Sequence, residues 1–119
     1  MQNVITLYGI PNCNTVKKAR DWLEKRGIAY TFYDFKKQTV SQQLLANWLM
    51  QFPYETLINR AGLTWRGLDD ATKASIINNA SAIELMQAKT SLIKRPILLK
   101  NGKILSLGFN ETTYKELLT

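Results

Sequence analysis

The sequence offers one thiol nucleophile, Cys13, and no histidine. Those two counts exclude an internal disulfide, a Cys/His zinc finger and every triad or proton shuttle built on an imidazole. Chemistry must therefore run on a lone thiol, carboxylates, cations and backbone dipoles. Cys13 sits in Gly9-Ile10-Pro11-Asn12-Cys13-Asn14-Thr15, between an apolar, β-branched run and a segment of helical periodicity. Unpaired N–H groups at a helix N-terminus carry partial positive charge and favour a thiolate over a thiol. Lys17 and Lys18, one turn further on, are placed to add to that field. The expected pKa shift is downward. A thiolate needs no base for disulfide exchange, so the absence of histidine suits that chemistry and is hostile to Cys-His protease chemistry. Most lone cysteines of cytosolic proteins are small buried hydrophobes. The polar loop and helix start around Cys13 favour a reactive thiol instead.

Several elements must position this loop. Val4-Ile5-Thr6-Leu7-Tyr8, bounded by Gly9 and Pro11, reads as a buried strand. A helix follows from about Asn14 to Lys25, with Val16, Ala19, Trp22 and Leu23 on one face, Asn12 or Asn14 as N-cap and Gly27 as stop. A second strand at Tyr30–Phe35 completes a βαβ unit, which makes the two strands parallel. The middle of the chain is helical. Leu44, Leu45, Trp48, Leu49 and Phe52 share helical spacing up to Pro53, and an irregular loop carries Arg60, Gly62, Trp65, Arg66 and Gly67. Asp69 or Asp70 caps a helix through Ile76 and Ile77, and Ser81-Ala82-Ile83-Glu84 reads as a capping box opening a helix to about Gln87. Asn101-Gly102 between Pro96–Lys100 and Lys103–Leu107 is a strong hairpin signal, and Asn110 caps a last helix through Leu118.

The order β-α-β, helical segment, β-β-α predicts an α/β fold with a thioredoxin-like, mixed four-stranded sheet. On this reading residues 1–119 are a single domain, with 1–36 and 95–118 forming the sheet unit and 40–90 a helical insertion between its halves. The chain has 119 residues, 45% hydrophobic and 21% charged, which is ordinary globular composition. Lys and Arg outnumber Asp and Glu 16 to 9, giving a net charge of +7 and favouring an anionic partner. Met1-Gln2-Asn3 lacks the basic region and apolar stretch of a signal peptide. No apolar run approaches the roughly 20 residues of a membrane helix. A soluble, cytoplasmic monomer with no metal and no membrane association is expected. Direct nucleic-acid binding is not expected, because no recognised motif accompanies the charge.

Thr6-Leu7-Tyr8-Gly9-Ile10-Pro11-Asn12-Cys13-Asn14-Thr15-Val16-Lys17-Lys18-Ala19, together with Lys94-Arg95-Pro96-Ile97 and Gly108-Phe109-Asn110-Glu111, resembles the ArsC/Spx superfamily of thioredoxin-like proteins. Within it the chain is most similar to the small arsenate-reductase-related proteins of the YffB type. Glu55-Thr56-Leu57-Ile58-Asn59-Arg60 followed by Thr64-Trp65-Arg66 is typical of them as well. The resemblance covers nearly the whole chain, with its motifs in order.

It implies that Cys13 is the catalytic nucleophile and that Arg95-Pro96 faces it across a cis peptide bond. Asn12, Asn14, Arg60, Arg95 and Pro96 are the expected substrate-binding residues. Two departures narrow the activity. Arsenate reductases of this type that couple to glutaredoxin carry a further arginine on the strand ending the hairpin, where this chain reads Ile104-Leu105-Ser106-Leu107-Gly108. Spx-type regulators carry a Cys-x-x-Cys switch, and here Val16 stands at the second cysteine position. What remains is a monothiol reductase with no bound cofactor that borrows its resolving thiol. Glutathione is the expected co-substrate, and glutaredoxin a further partner. Lys17, Lys18, Lys36, Lys37, Arg60, Arg66, Lys94 and Arg95 are the candidate cations for the carboxylates of glutathione. The alternatives are an Spx-like regulator contacting RNA polymerase and a genuine glutaredoxin-coupled arsenate reductase.

Overall fold

Strand β1 (Ile5–Gly9) alternates buried Ile5, Leu7 and Gly9 with half-buried Thr6 and Tyr8, so its two faces meet different surroundings. Helix α1 (Asn14–Lys25) lays Val16, Ala19, Trp22 and Leu23 inward, the spacing of one helical face. Gly27 ends it at φ 65°, where a side chain would be strained. Strand β2 (Thr31–Asp34) then pairs parallel to β1, with Leu7 beside Phe32 and Gly9 beside Asp34. This computed structural model describes residues 4–118. Met1-Gln2-Asn3, on which the expectation about a signal peptide rests, lie outside the described residues.

From the other end of the chain, β3 (Ile97–Lys100) pairs antiparallel to β1, and β4 (Lys103–Leu107) pairs antiparallel to β3. The sheet order is β2-β1-β3-β4, the mixed four-stranded arrangement expected. Asn101 and Gly102 take φ of 54° and 84°, as a two-residue hairpin turn requires. The β3–β4 register slips between Leu98 and Leu99, leaving Leu105 as an extra residue on β4. The last helix of the chain begins at Glu111, behind an Asn110 cap whose Oδ1 accepts the Thr113 N–H at 3.0 Å.

These segments, up to Gln38 and from Arg95 on, form one compact unit. Its core packs Ile5, Leu7, Ala19, Trp22, Leu23, Leu98 and Tyr114. Tyr114 meets the edges of Trp22 and Phe109 at centroid distances of 5.6 and 4.8 Å. Such pairs contribute about 0.5–1.5 kcal/mol beyond burial. Alternation along the strands puts Tyr8, Tyr33 and Phe35 on the sheet face away from Leu7 and Phe32. There the Tyr8 and Tyr33 rings lie 4.6 Å apart. Burial, then the neighbouring Tyr33, raises the Tyr8 phenol above its ordinary pKa.

Thr39–Lys94 form a second compact unit. It holds α2 (Gln42–Leu49), α3 (Tyr54–Leu57), α4 (Leu63–Arg66), α5 (Asp70–Ala74) and α6 (Asn79–Ala88), followed by a short 3-10 turn at Thr90–Leu92. With these named, the C-terminal helix Glu111–Leu118 is α7. Four sequence expectations change here. Helix α2 stops at Leu49, so Phe52 falls outside it. The loop around Arg60 contains two single-turn helices, α3 and α4, too short to show a period. Helix α5 stops at Ala74, so Ile76 and Ile77 fall outside it, and Ile77 is 74% exposed. Helix α6 starts at Asn79, because Asn78 rather than Ser81 is the cap. Asn78 Oδ1 accepts the Ser81 N–H at 2.9 Å, and Ser81 Oγ accepts the Asn78 N–H at 3.1 Å. Among the described residues no group of three or more His, Cys, Asp or Glu could hold a metal ion, and no helix is long and apolar enough to cross a membrane.

Candidate active site

The loop leaving β1 turns tightly, with the Cys13 N–H donating to the Ile10 carbonyl at 3.1 Å. Cys13 then takes an extended backbone (φ −89°, ψ 126°) and its carbonyl accepts the Lys17 N–H at 2.9 Å. Cys13 is therefore the N-cap of α1, a correction to the expectation that Asn12 or Asn14 would serve. The physical reason lies in the turn: Asn12 stands before the extended residue, while Asn14 already has helical geometry as the first residue of α1. No side-chain oxygen caps this helix, so its first amides stay available to the sulfur.

Cys13 is half-buried and is the chain's free cysteine. Partial burial pushes its thiol up. The Val16 amide, the Arg95 guanidinium and the Thr15 amide outweigh that and leave the pKa below its ordinary value. The cation that acts on the sulfur is thus Arg95. Lys17 and Lys18 are exposed and do not contribute to the shift, contrary to the sequence expectation. A solvated ammonium on a flexible stem is screened by water, whereas Arg95 is half-buried and held where the chain turns into β3.

The register explains how Arg95 arrives there. Tyr8 pairs with Ile97, which sets the preceding Pro96 opposite Gly9, at the root of the Cys13 loop. The Arg95-Pro96 bond is cis. The Pro96 carbonyl accepts the Gly108 N–H at 2.8 Å, fixing the loop to the end of β4. Gly9 also lets the strand and helix approach, since a Cβ there would meet Val16 Cγ2 at 2.8 Å.

Of the expected site residues, the structure brings Cys13, Arg95 and Pro96 together. Asn12 and Asn14 flank the cysteine with exposed side chains. Arg60 belongs to the second unit, where it is exposed and its guanidinium stands 5.4 Å from the Trp65 ring centroid.

The ArsC family profile matches residues 8–117. The chain belongs to the ArsC family. Among solved structures, it resembles one named YFFB protein at 42% identity and a TM-score of 0.90, over 98% of this chain and 100% of that one. An arsenate reductase (ArsC) related protein from Brucella melitensis is 45% identical with a TM-score of 0.76, over 95% and 92%. The global transcriptional regulator Spx of Streptococcus agalactiae is 28% identical over 97% of this chain and 83% of its own. The thioredoxin-like fold expected from the sequence is thus the fold of this ArsC family member, and the solved structure of an arsenate reductase related relative shares it.

Proposed function

We propose that this ArsC family chain is a glutathione-dependent monothiol reductase. The observation that carries the reading is the half-buried, pKa-lowered Cys13 at the N-cap of α1 beside Arg95. The Cys13 thiolate attacks the glutathionyl sulfur of a mixed disulfide. The substrate sulfur leaves as a thiolate with the bonding electron pair, and Cys13 becomes glutathionylated. A second glutathione thiolate then attacks the glutathionyl sulfur, releasing oxidised glutathione and restoring the Cys13 thiolate. Two electrons pass from glutathione to the substrate, and no second protein cysteine is required. This ionic chemistry asks the site to stabilise a thiolate and an incoming anion, which helix amides and a guanidinium do. Arsenate is a poor substrate in this reading, because Ile104-Leu105-Ser106-Leu107-Gly108 offers no cation.

The test is a titration of Cys13 by thiolate absorbance, followed by intact mass after incubation with oxidised glutathione. A pKa below the ordinary thiol value of about 8.5 and a single glutathione adduct are expected. An ordinary pKa with no adduct overturns the reading. A second reading, an Spx-like contact with RNA polymerase, is favoured by the 28% identity to Spx over 97% of the chain. Co-purification of polymerase with the Cys13→Ser variant would support it. Glutaredoxin-coupled turnover of arsenate, lost in Arg95→Ala, would instead establish arsenate reduction.

A further inference from the structure

Beside the Cys13 loop, in the same unit, lies a groove of about 420 Å³ lined by Pro11, Arg20, Phe32, Asp34, Lys37 and Gln38. Its central cation is held in place. The Arg20 guanidinium lies over the Phe32 ring at 4.1 Å from the centroid, and its Nε donates to the Tyr30 hydroxyl at 3.0 Å. The same hydroxyl donates to Glu24 at 3.2 Å. Arg20 forms no ion pair with a carboxylate among the described residues, nor does Lys37. A guanidinium fixed by stacking and by Nε presents its terminal N–H groups with little rotamer entropy left to lose. The groove also holds an anion. Asp34 lines it, its Oδ1 taking the Lys36 N–H at 2.8 Å.

Topology relates this groove to the sulfur. Gly9 pairs with Asp34 in the parallel β1–β2 ladder, so Asp34 stands at the strand end from which the Cys13 loop departs. Cys13 caps α1, and Arg20 lies seven residues further on, about two turns along the helix axis. That is a rise of about 10 Å, and helical side chains lean back toward the N-terminus. Cations and a carboxylate around one groove match the α-carboxylate and α-ammonium of an amino-acid end. In glutathione that end is the γ-glutamyl group, whose α-carboxylate stands about 10 Å of extended chain from the sulfur.

Resting on the reductase reading, we propose that this groove is the γ-glutamyl subsite of the thiol co-substrate. Arg20 and Lys37 take the α-carboxylate, and Asp34 takes the α-ammonium. The glutathione sulfur then reaches Cys13 while its glycyl end points away from the groove.

The experiment follows Cys13 glutathionylation rates by intact mass, using oxidised glutathione, its diglycyl ethyl ester and bis(2-hydroxyethyl) disulfide. Arg20→Gln is expected to slow the first two reagents about tenfold, the size of one lost charge-assisted contact, and to leave the third unchanged. Lys37→Gln, an exposed position outside the core, is expected to act in the same direction and keeps the test informative if Arg20→Gln unfolds. Slowing of oxidised glutathione but not of its glycyl ester would assign the groove to the glycyl carboxylate and overturn the proposal. Equal rates in wild type and both variants would overturn it as well. Failure of the wild type to react with any of the three reagents would instead overturn the reductase reading on which it rests.

Discussion

Replacing Gly9 by alanine tests how the strand and helix that frame Cys13 are held together. The new Cβ would lie 2.8 Å from Val16 Cγ2 and 3.2 Å from Cγ1. Val16 cannot swing away: it is fully buried, and a β-branched side chain on a helix has essentially one χ1 rotamer. The strand and helix must part by several tenths of an ångström instead. Overpacking of this kind costs about 1–3 kcal/mol. For a chain of this size that is a fall in Tm of roughly 5 °C per kcal/mol. The second substitution decides the mechanism. Val16→Ala alone opens a cavity and costs about 1–3 kcal/mol. Combined with Gly9→Ala, it removes both clashing methyls while the new methyl fills part of the space.

The double variant should therefore be more stable than the sum of the two losses by about 1–2 kcal/mol, read from urea midpoints in a double-mutant cycle. A functional trace accompanies it. Parting β1 from α1 shifts the Val16 amide relative to the sulfur, so Gly9→Ala should slow alkylation of Cys13 at neutral pH, and Val16→Ala should restore the rate. Wild-type stability in Gly9→Ala, or strictly additive losses in the double variant, would refute this packing account of the site.

Arg95→Met keeps the apolar stem and removes the charge. It should move the pH midpoint of Cys13 alkylation by iodoacetamide upward, and an unmoved midpoint would leave the Val16 and Thr15 amides as the whole cause. Because the folded thiol pKa is depressed, the stability it contributes is present above the unfolded value of about 8.5 and is lost as pH falls through the folded value. Cys13→Ser should erase that pH dependence in denaturation midpoints. Tyr114 behaves oppositely: burial raises its phenol pKa, so its contribution is intact below the unfolded value of about 10 and is lost as pH rises beyond it. Tyr114→Phe should flatten the alkaline loss of stability and cost little at pH 7, because the hydroxyl's contact with the Gly108 carbonyl is long, at 3.4 Å. Asn110→Ala removes the α7 cap and should lower stability by about 1 kcal/mol, seen as a lower urea midpoint with an unchanged slope.

Local periodicity made the sheet unit legible, because each of its elements carries its own signal. Val16, Ala19, Trp22 and Leu23 repeat with the helix, and Asn101-Gly102 names its own turn. The middle of the chain resists the same reading for a physical reason. Helices of four and five residues, such as α4 and α5, span about one turn and cannot display a period. What sustains helices so short is tertiary packing and capping rather than pattern. The cap of α6 shows how close the alternatives lie: Asn78 and Ser81 exchange hydrogen bonds, and either one could open a helix until the chain chooses.

The site divides along the same line. Cys13 and the Arg95-Pro96 pair are visible as residue types, but the source of the thiolate's field is not. Lys17 and Lys18 are near in sequence, yet Arg95 supplies the charge from the opposite end of the chain. The β1–β3 register brings it there, by pairing Tyr8 with Ile97 and so setting Pro96 against Gly9. Arg20 is likewise placed by the fold, about two turns along α1 from its Cys13 cap, where it lines one groove with Pro11 and Asp34. Which cation meets the sulfur is therefore decided by ladder register, which constrains a charge more tightly than closeness along the chain.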